Sequence, residues 1–360
     1  MATYAKYQQI EMELEMRIAS GEFAPGEKLP SEHVLCKTYA TSRITVRRAL
    51  EELKGKGLIY SMHGSGYFVR DPSSAVIPRK VLLVLPYSPE IFSAGLVPDV
   101  IKGVERELSR QGYTLLTIMG PRNASDTSFF DSLQQQRPDG IIYTFYCNEM
   151  VLDDLKNMQV PVVFLDSEPK DNPFDHVTGD DYNSAYEAVT LLLKSGLERV
   201  GFYSPWSVDF STCNARCAGT RQALIDAGLY TRESWFHVAK GNMDYHSSVI
   251  LVDMVSDIKD YLMRNPALQG MVVMNDSAAF AAIKAAMELG KEVPGDLKII
   301  SYGNFEWCKQ YLGGITSHEQ NFLQYGEEAA RLLIGRIEGT LPAERQQRVI
   351  SYNLCRRNSF

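Results

Sequence analysis

One stretch narrows the possible folds more than any other: residues 29–69, LPSEHVLCKTYATSRITVRRALEELKGKGLIYSMHGSGYFV. Ser31 is suited to cap a short helix that holds Leu35 and Tyr39, and the Ala-Thr-Ser of 40–42 interrupts it. Ser42 can cap a second helix that opens at Arg43 and carries Ile44, Val46, Ala49, Leu50 and Leu53 inward. Two short helices joined by a tight turn make a helix-turn-helix. Gly55 and Gly57 stop the second helix, and Leu58–Tyr60 then reads as a strand. His63–Gly66 reads as a hairpin turn and Tyr67–Val69 as the returning strand, which completes a wing. Arg43 and Arg47 stand one helical turn apart and share a face beside Thr45 and Arg48. That face can enter a major groove and offer guanidinium forks to guanine O6 and N7. An isolated arginine is ordinarily just a solvated charge; the order of caps, glycine stop and glycine-tipped hairpin gives this set its meaning.

Upstream, Ile10, Leu14 and Ile18 recur every four positions and predict a helix over 4–20. Downstream, residues 70–79 are bracketed by Pro72 and Pro78 and lack a helical period, which predicts a linker. The expected division is therefore a head at 1–70, a linker at 71–79 and a body at 80–360. The net charge of −7 excludes a uniformly basic nucleic-acid-coating protein. Residues 1–70 hold ten Lys/Arg against eight Asp/Glu, leaving the rest near −9, as suits a reading head on an acidic body. The six cysteines form no CxxC pair, and Cys213 and Cys217 have no partner at metal-site spacing, so reduced thiols and no metal are expected. Lys6, Glu11, Glu13 and Glu15 occupy the place of a signal peptide's apolar run, and no stretch is long and apolar enough to span a membrane. A cytoplasmic protein with no membrane partner is expected.

Beyond Lys80 the texture changes. Val81–Leu85, Tyr113–Ile118, Gly140–Phe145, Pro161–Asp166, Arg199–Tyr203, Gly270–Met274 and Leu297–Tyr302 read as buried strands alternating with amphipathic helices. This pattern predicts parallel sheets covered on both faces, and the number of strands predicts two lobes. Lobe 1 is expected at about 80–190 plus 320–338, and lobe 2 at about 191–318 plus 339–360. Ligands of such sheets bind beyond the carboxyl ends of the strands, which directs attention to 86–92, Asp166, Asp180–Asp181, Arg216, Asn275–Asp276 and Tyr302–Asn304.

The succession LPSE, SRxTVRxAL, GLI and HGSGYFV resembles the winged-helix domain of GntR-family transcription regulators over nearly all of residues 4–70. The resemblance implies that Arg43 and Arg47 read bases, with Ser31, Glu32 or His33, Ser42, Thr45 and Arg48 at the groove. It implies further that His63 and Gly64 bring the wing tip to the minor groove and that Lys6 meets phosphate. In the body, Phe-Leu-Asp at 164–166, Asp-Asp-Tyr-Asn-Ser-Ala at 180–185, Arg-Cys-Ala-Gly at 216–219, Asn-Asp at 275–276 and Glu-Gln at 319–320 resemble the lac-repressor type of effector domain. The implied fold is a winged helix-turn-helix (α+β) joined to a two-lobed α/β domain like the type I periplasmic binding proteins. The combination resembles the arabinose-repressor subgroup.

Sugars need paired donors and acceptors, since a hydroxyl buried alone costs about 1–3 kcal/mol. Arg216 matches the family's sugar-contacting arginine, against the alternative of a surface arginine on a helix running to Asp226. Asp181 matches an acidic sugar ligand, although a helix N-cap is also wanted there. Asp276 can cap the alanine-rich helix 277–289 and leave Asn275 facing the cleft; Gln320 matches a pocket glutamine. Where relatives read Gly-Tyr-Asp-Asp, this chain has Ser-Tyr-Gly-Asn at 301–304, so a hydroxyl grip is missing or comes from Asn304 or Glu306. Tyr302 joins the expected set. Phe92, Tyr143, Trp206, Tyr245 and Trp307 are candidate stacking platforms, with Phe92 and Tyr245 included in the site. No GxSxG, HExxH or Walker loop appears, so an enzyme is not expected, nor a cofactor. The expected partners are double-stranded operator DNA, a monosaccharide effector and a second copy of the chain. The expected function is a sugar-released repressor; the alternative is an activator or dual regulator answering a nucleoside or sugar phosphate.

Overall fold

The structure is a computed structural model that describes residues 6–56, 58–62, 66–69, 79–86, 96–120, 127–145, 151–229, 231–238, 251–310 and 313–360. The chain divides into two compact units, Met1–Pro78 and Arg79–Phe360.

In the first unit, α1 (Lys6–Ala19), α2 (Glu32–Thr38) and α3 (Arg43–Gly55) precede the antiparallel pair β1 (Ile59–Met62) and β2 (Gly66–Val69). Ser31 and Ser42 cap α2 and α3, accepting from the backbone N–H of Val34 and Thr45 respectively. Ile10 and Leu14 of α1 meet Leu35, Val46, Ala49, Leu50, Leu53, Ile59 and Val69 in one small core. Lys56 ties the end of α3 to Glu15 at 2.6 Å and Glu11 at 2.9 Å on α1. Ile44 departs from expectation: it is 83% exposed rather than buried. A helix advances ~100° per residue, which turns position 44 away from the face shared by Val46, Ala49, Leu50 and Leu53. The predicted linker at 71–78 and the wing tip at His63 and Gly64 lie outside the described residues, while Arg79 belongs to a strand.

The second unit contains two six-stranded sheets. The first is wholly parallel, in the order β13-β7-β6-β5-β3-β4: Gln347–Ile350, Asp175–Gly179, Val162–Leu165, Gly140–Thr144, Arg79–Leu85 and Tyr113–Met119. It is flanked by α4 (Leu96–Arg110), α5 (Thr127–Gln135), α6 (Val151–Asn157) and α11 (Phe322–Ile337). Strand β3 explains its own continuous apolar run: Val81, Leu83 and Leu85 join the core on one face, Leu82 and Val84 the core on the other. The second sheet has the order β14-β12-β11-β10-β8-β9: Asn353–Cys355, Thr316–Glu319, Lys298–Gly303, Gly270–Val273, Val200–Ser204 and Phe236–Val238. It is parallel except at β14 and packs with α7 (Asp181–Lys194), α8 (Ser211–Asp226), α9 (Leu251–Arg264) and α10 (Asp276–Glu288).

Two predicted lobe assignments are corrected. Residues 181–190, expected in lobe 1, open α7, whose Ala185, Ala188, Val189 and Leu192 sit in the second core. Residues 347–350, expected in lobe 2, form β13 at the edge of the first sheet. The chain therefore crosses between lobes three times: β7 to α7, β12 to α11, and β13 to β14. Strand β7 went unread because its Asp175 and His176 break the apolar pattern. Both are buried with partners: Asp175 takes two bonds from Arg336, at 2.5 and 2.8 Å, and His176 lies between the Asp166 carbonyl and Glu168.

Gly179, the last residue of β7, is required by packing. A Cβ there would come within 1.6 Å of the Tyr352 hydroxyl and 2.3 Å of the Tyr325 hydroxyl. Gly179→Ala should therefore lower stability by about 1–3 kcal/mol, read as a reduced urea midpoint with unchanged m.

Candidate functional site

In the body, the best-defined polar cluster gathers where the crossovers meet. Asp181 stands at the first, Gln320 at the second and Tyr352 at the third. The Tyr352 hydroxyl donates to Asp181 Oδ1 at 3.2 Å and accepts from Gln320 Nε2 at 3.1 Å. It also lies 2.7 Å from the hydroxyl of Tyr325. Arg216, from α8, donates through Nε and Nη2 to Asp181 Oδ1, each at 2.7 Å, and through Nη1 to the Met274 carbonyl at 2.5 Å. Its guanidinium lies 3.9 Å from the Tyr302 ring centre, and Tyr302 stacks in turn on His318 at 5.0 Å. Arg216 and Asp181 are each only 3% exposed, so the surface-arginine reading fails. Burial and the nearby guanidinium push His318 down to about 4, keeping its imidazole neutral at neutral pH.

Asp166 completes the group and was missed as a site residue, although its place at the end of a strand marked it. It follows β6 with φ +75, a left-handed conformation unusual for a residue with a Cβ. Phe145, Asn304 and Asn321 take the same region just after β5, β11 and β12, so strained backbone gathers at these strand ends. Burial, and then the Asp181 carboxylate, raise Asp166 to about 7. Tyr325 and Tyr352 were also missed: nothing in sequence separates them from ordinary core tyrosines.

The remaining expectations divide. Asp181, Arg216, Tyr302 and Gln320 come together. Asn275 adjoins them, but Asn275 takes the capping role expected of Asp276, and Asp276 is enclosed. Asn275 Oδ1 caps α10 by accepting from Ala278 N–H at 2.9 Å. Asp276 is fully buried and accepts from Ser301, from Ser317 at 2.6 Å, from Phe305 N–H at 2.9 Å and from Cys308 Sγ at 3.2 Å. Asn304 is held by Glu319 at 3.1 Å and Arg357 at 2.5 Å, and Glu306 is exposed and paired with Lys309. Neither stands free as a replacement hydroxyl grip. An aspartate could not simply be restored at Gly303, whose φ is +127 and whose Cβ would lie 2.9 Å from Asp276 Oδ2. Tyr143 is enclosed in the first lobe's core, and Trp206 packs on that of the second. Trp307 is 38% exposed and lies among Phe280 and Phe305. Phe92 and Tyr245 lie outside the described residues.

In the head, Lys6, His33 and Arg43 are exposed, and Arg43 has no side-chain partner among the described residues. Arg47 is two-thirds exposed and donates to both carboxylate oxygens of Glu32, at 3.1 and 3.2 Å. Arg48 turns toward α1, stacking 3.9 Å over the Tyr7 ring and donating to its hydroxyl at 3.2 Å. The Ser42 and Thr45 hydroxyls bond each other at 2.9 Å.

Residues 6–69 match the model of the gntR family of bacterial regulatory proteins, and residues 189–360 that of a periplasmic binding protein-like domain. The chain thus joins a GntR-type DNA-binding domain to a periplasmic-binding-protein-like body. An arabinose metabolism transcriptional repressor of Geobacillus stearothermophilus is 23% identical over 93% of this chain and 92% of its own length. The transcriptional repressor PurR of Vibrio campbellii is 26% identical over 85% and 87%. These relatives are DNA-binding transcription regulators, not enzymes. Among solved structures, a complex of the transcriptional regulator CelR with cellobiose superposes with a TM-score of 0.70 at 20% identity, over 92% of this chain and all of that one. The lac repressor dimer bound to operator and an anti-inducer gives 0.67 at 15%, over 80% and 96%. No helix among the described residues is long and apolar enough to cross a membrane.

A carboxyl group raised above its unfolded value near 3.9 keeps its proton in the folded chain while the unfolded chain releases it. The contribution of Asp166 to folded-state stability therefore falls as pH rises from about 4 to 7, and no further above that. Asp166→Asn removes this dependence. Its ligand-free stability relative to the native chain should rise across that window, by at most about 1.4 kcal/mol per pH unit, and level off near pH 7–8. Paired urea titrations from pH 4 to 8 measure the difference.

Proposed function

We propose that this chain is a cytoplasmic transcriptional repressor whose hold on a two-fold-symmetric operator is released by a neutral monosaccharide bound between the lobes. The observation that carries the reading is the convergence of Asp166, Asp181, Arg216, Tyr302 and Gln320 where the chain crosses between lobes, in a chain whose head exposes an arginine-bearing helix. Carboxylates, an amide and a guanidinium are the groups that hold adjacent hydroxyls. A sugar phosphate fits less well: Asp181 already neutralises Arg216, and among the described residues this cluster holds no second charged cation. A homodimer would set two heads on two half-sites, and a sugar favouring one lobe arrangement would move them out of register.

Thermal-shift titration of the purified chain against monosaccharides, nucleosides and their phosphates tests the effector. A neutral monosaccharide should raise Tm and lower affinity for DNA duplexes selected from a randomised pool. Asp166→Asn should bind the same duplexes and lose the sugar response. A shift with phosphorylated compounds alone would overturn the reading. Arg216→Ala is a poorer probe, since it strands the buried Asp181 carboxylate at a cost of about 3–5 kcal/mol. For the head, Arg43→Ala and Arg47→Ala should each weaken duplex binding by about 1–3 kcal/mol and relax base preference at one position. Unchanged affinity in anisotropy titrations would remove them from the interface.

A further inference from the structure

We infer that Ile44 reads the 5-methyl group of a thymine in the major groove and is a sequence-selecting residue of the head. The inference rests on the proposed DNA-binding role and adds the identity of one base to it.

Ile44 is the second residue of α3 and is 83% exposed, more than any other exposed large hydrophobic side chain in the described structure. Its direction follows from the helix. At ~100° per residue, Val46, Ala49, Leu50 and Leu53 point together into the core, and Ile44 points almost directly away from them. It is thus the centre of the outward face, not its margin. Arg47 lies to one side, drawn toward α2 by Glu32; Arg48 lies to the other, drawn toward α1 by Tyr7. Arg43 precedes it without a partner among the described residues. The outward centre of the first turn is therefore an apolar branched side chain inside a rim of guanidinium groups.

Among the described residues of the head no packing calls for isoleucine here, and a β-branched residue is a poorer helix former than many polar ones. The three neighbouring arginines would repel a second copy of this face and suit a surface lined with phosphates. The N-terminal turn of a recognition helix faces base edges rather than backbone. The groove-facing group that an aliphatic side chain can recognise there is the thymine methyl; the other edge positions present hydrogen-bonding atoms. Ile44 would so distinguish thymine from cytosine at its position without a hydrogen bond, and disfavour a guanine whose O6 and N7 it would leave unpaired.

The test uses the full chain and duplexes selected from a randomised pool. The best duplex is resynthesised with deoxyuridine replacing each thymine in turn, deleting one methyl while keeping the base pair. For the native chain, one thymine, or its symmetric pair, should lose about four-fold in affinity per methyl when replaced, which is ~0.8 kcal/mol at 1.4 kcal/mol per factor of ten. Ile44→Ala should bind the thymine and uracil duplexes at that position equally, and a repeated selection with it should lose the thymine preference there. Ile44→Val should retain both effects in reduced form. Because the side chain is exposed, neither variant should melt below the native chain, which separates lost contact from lost fold. If every uracil substitution affects the native chain and Ile44→Ala alike, the inference is overturned while the head remains a DNA reader. If no duplex is enriched at all, the DNA-binding role fails with it.

Discussion

The buried pair of Arg216 and Asp181 is the constraint around which the body is arranged. Each charge taken out of water carries a penalty of several kcal/mol, offset only by close and complete pairing. Asp181 therefore needs the guanidinium of α8 and the hydroxyl of Tyr352, and Arg216 needs the Met274 carbonyl and the face of Tyr302. These partners come from the first crossover, a helix of the second lobe, the ends of two of its strands, and the third crossover. Satisfying one ion pair thus fixes where the connections run, and Gly179 has no side chain because the hydroxyls of Tyr325 and Tyr352 fill that space. Asp166 feels both charges of this pair, and among the described residues no cation is paired with it.

The head follows a more local logic. Its helices are delimited by side-chain caps, its core is formed by residues within one short stretch plus α1, and its arginines are sorted by their neighbours. Glu32 aligns Arg47, Tyr7 draws Arg48 against α1, and Arg43 stays open. Three arginines that look equivalent along the chain thus have different amounts of freedom to meet a ligand.

Much of this was legible in the residues themselves. Ser31 and Ser42 announced the caps of α2 and α3, the apolar runs from Val81 onward announced strands covered on both faces, and Arg216, Asp181 and Gln320 stood in motifs whose order pointed to a paired-lobe binding domain. The caps and the strands depend on neighbours a few positions away, or on the burial of a whole run, and such information is carried by spacing; Arg216, Asp181 and Gln320 were marked by the resemblance of their motifs to an effector domain. That Asn275 rather than Asp276 caps α10 was not legible, since either can cap a helix; the buried hydroxyls of Ser301 and Ser317, which hold Asp276, decided it.

Sequence by itself determined the two kinds of domain, their order, and the helix that faces outward from the head. Only the tertiary structure decided that α7 belongs to the second lobe and β13 to the first, and that Arg216 is enclosed rather than solvated. The reason is physical: caps and periodicities are set by local backbone geometry, whereas the partner of a buried charge and the lobe that receives a crossing segment are set by contacts between residues far apart in the chain.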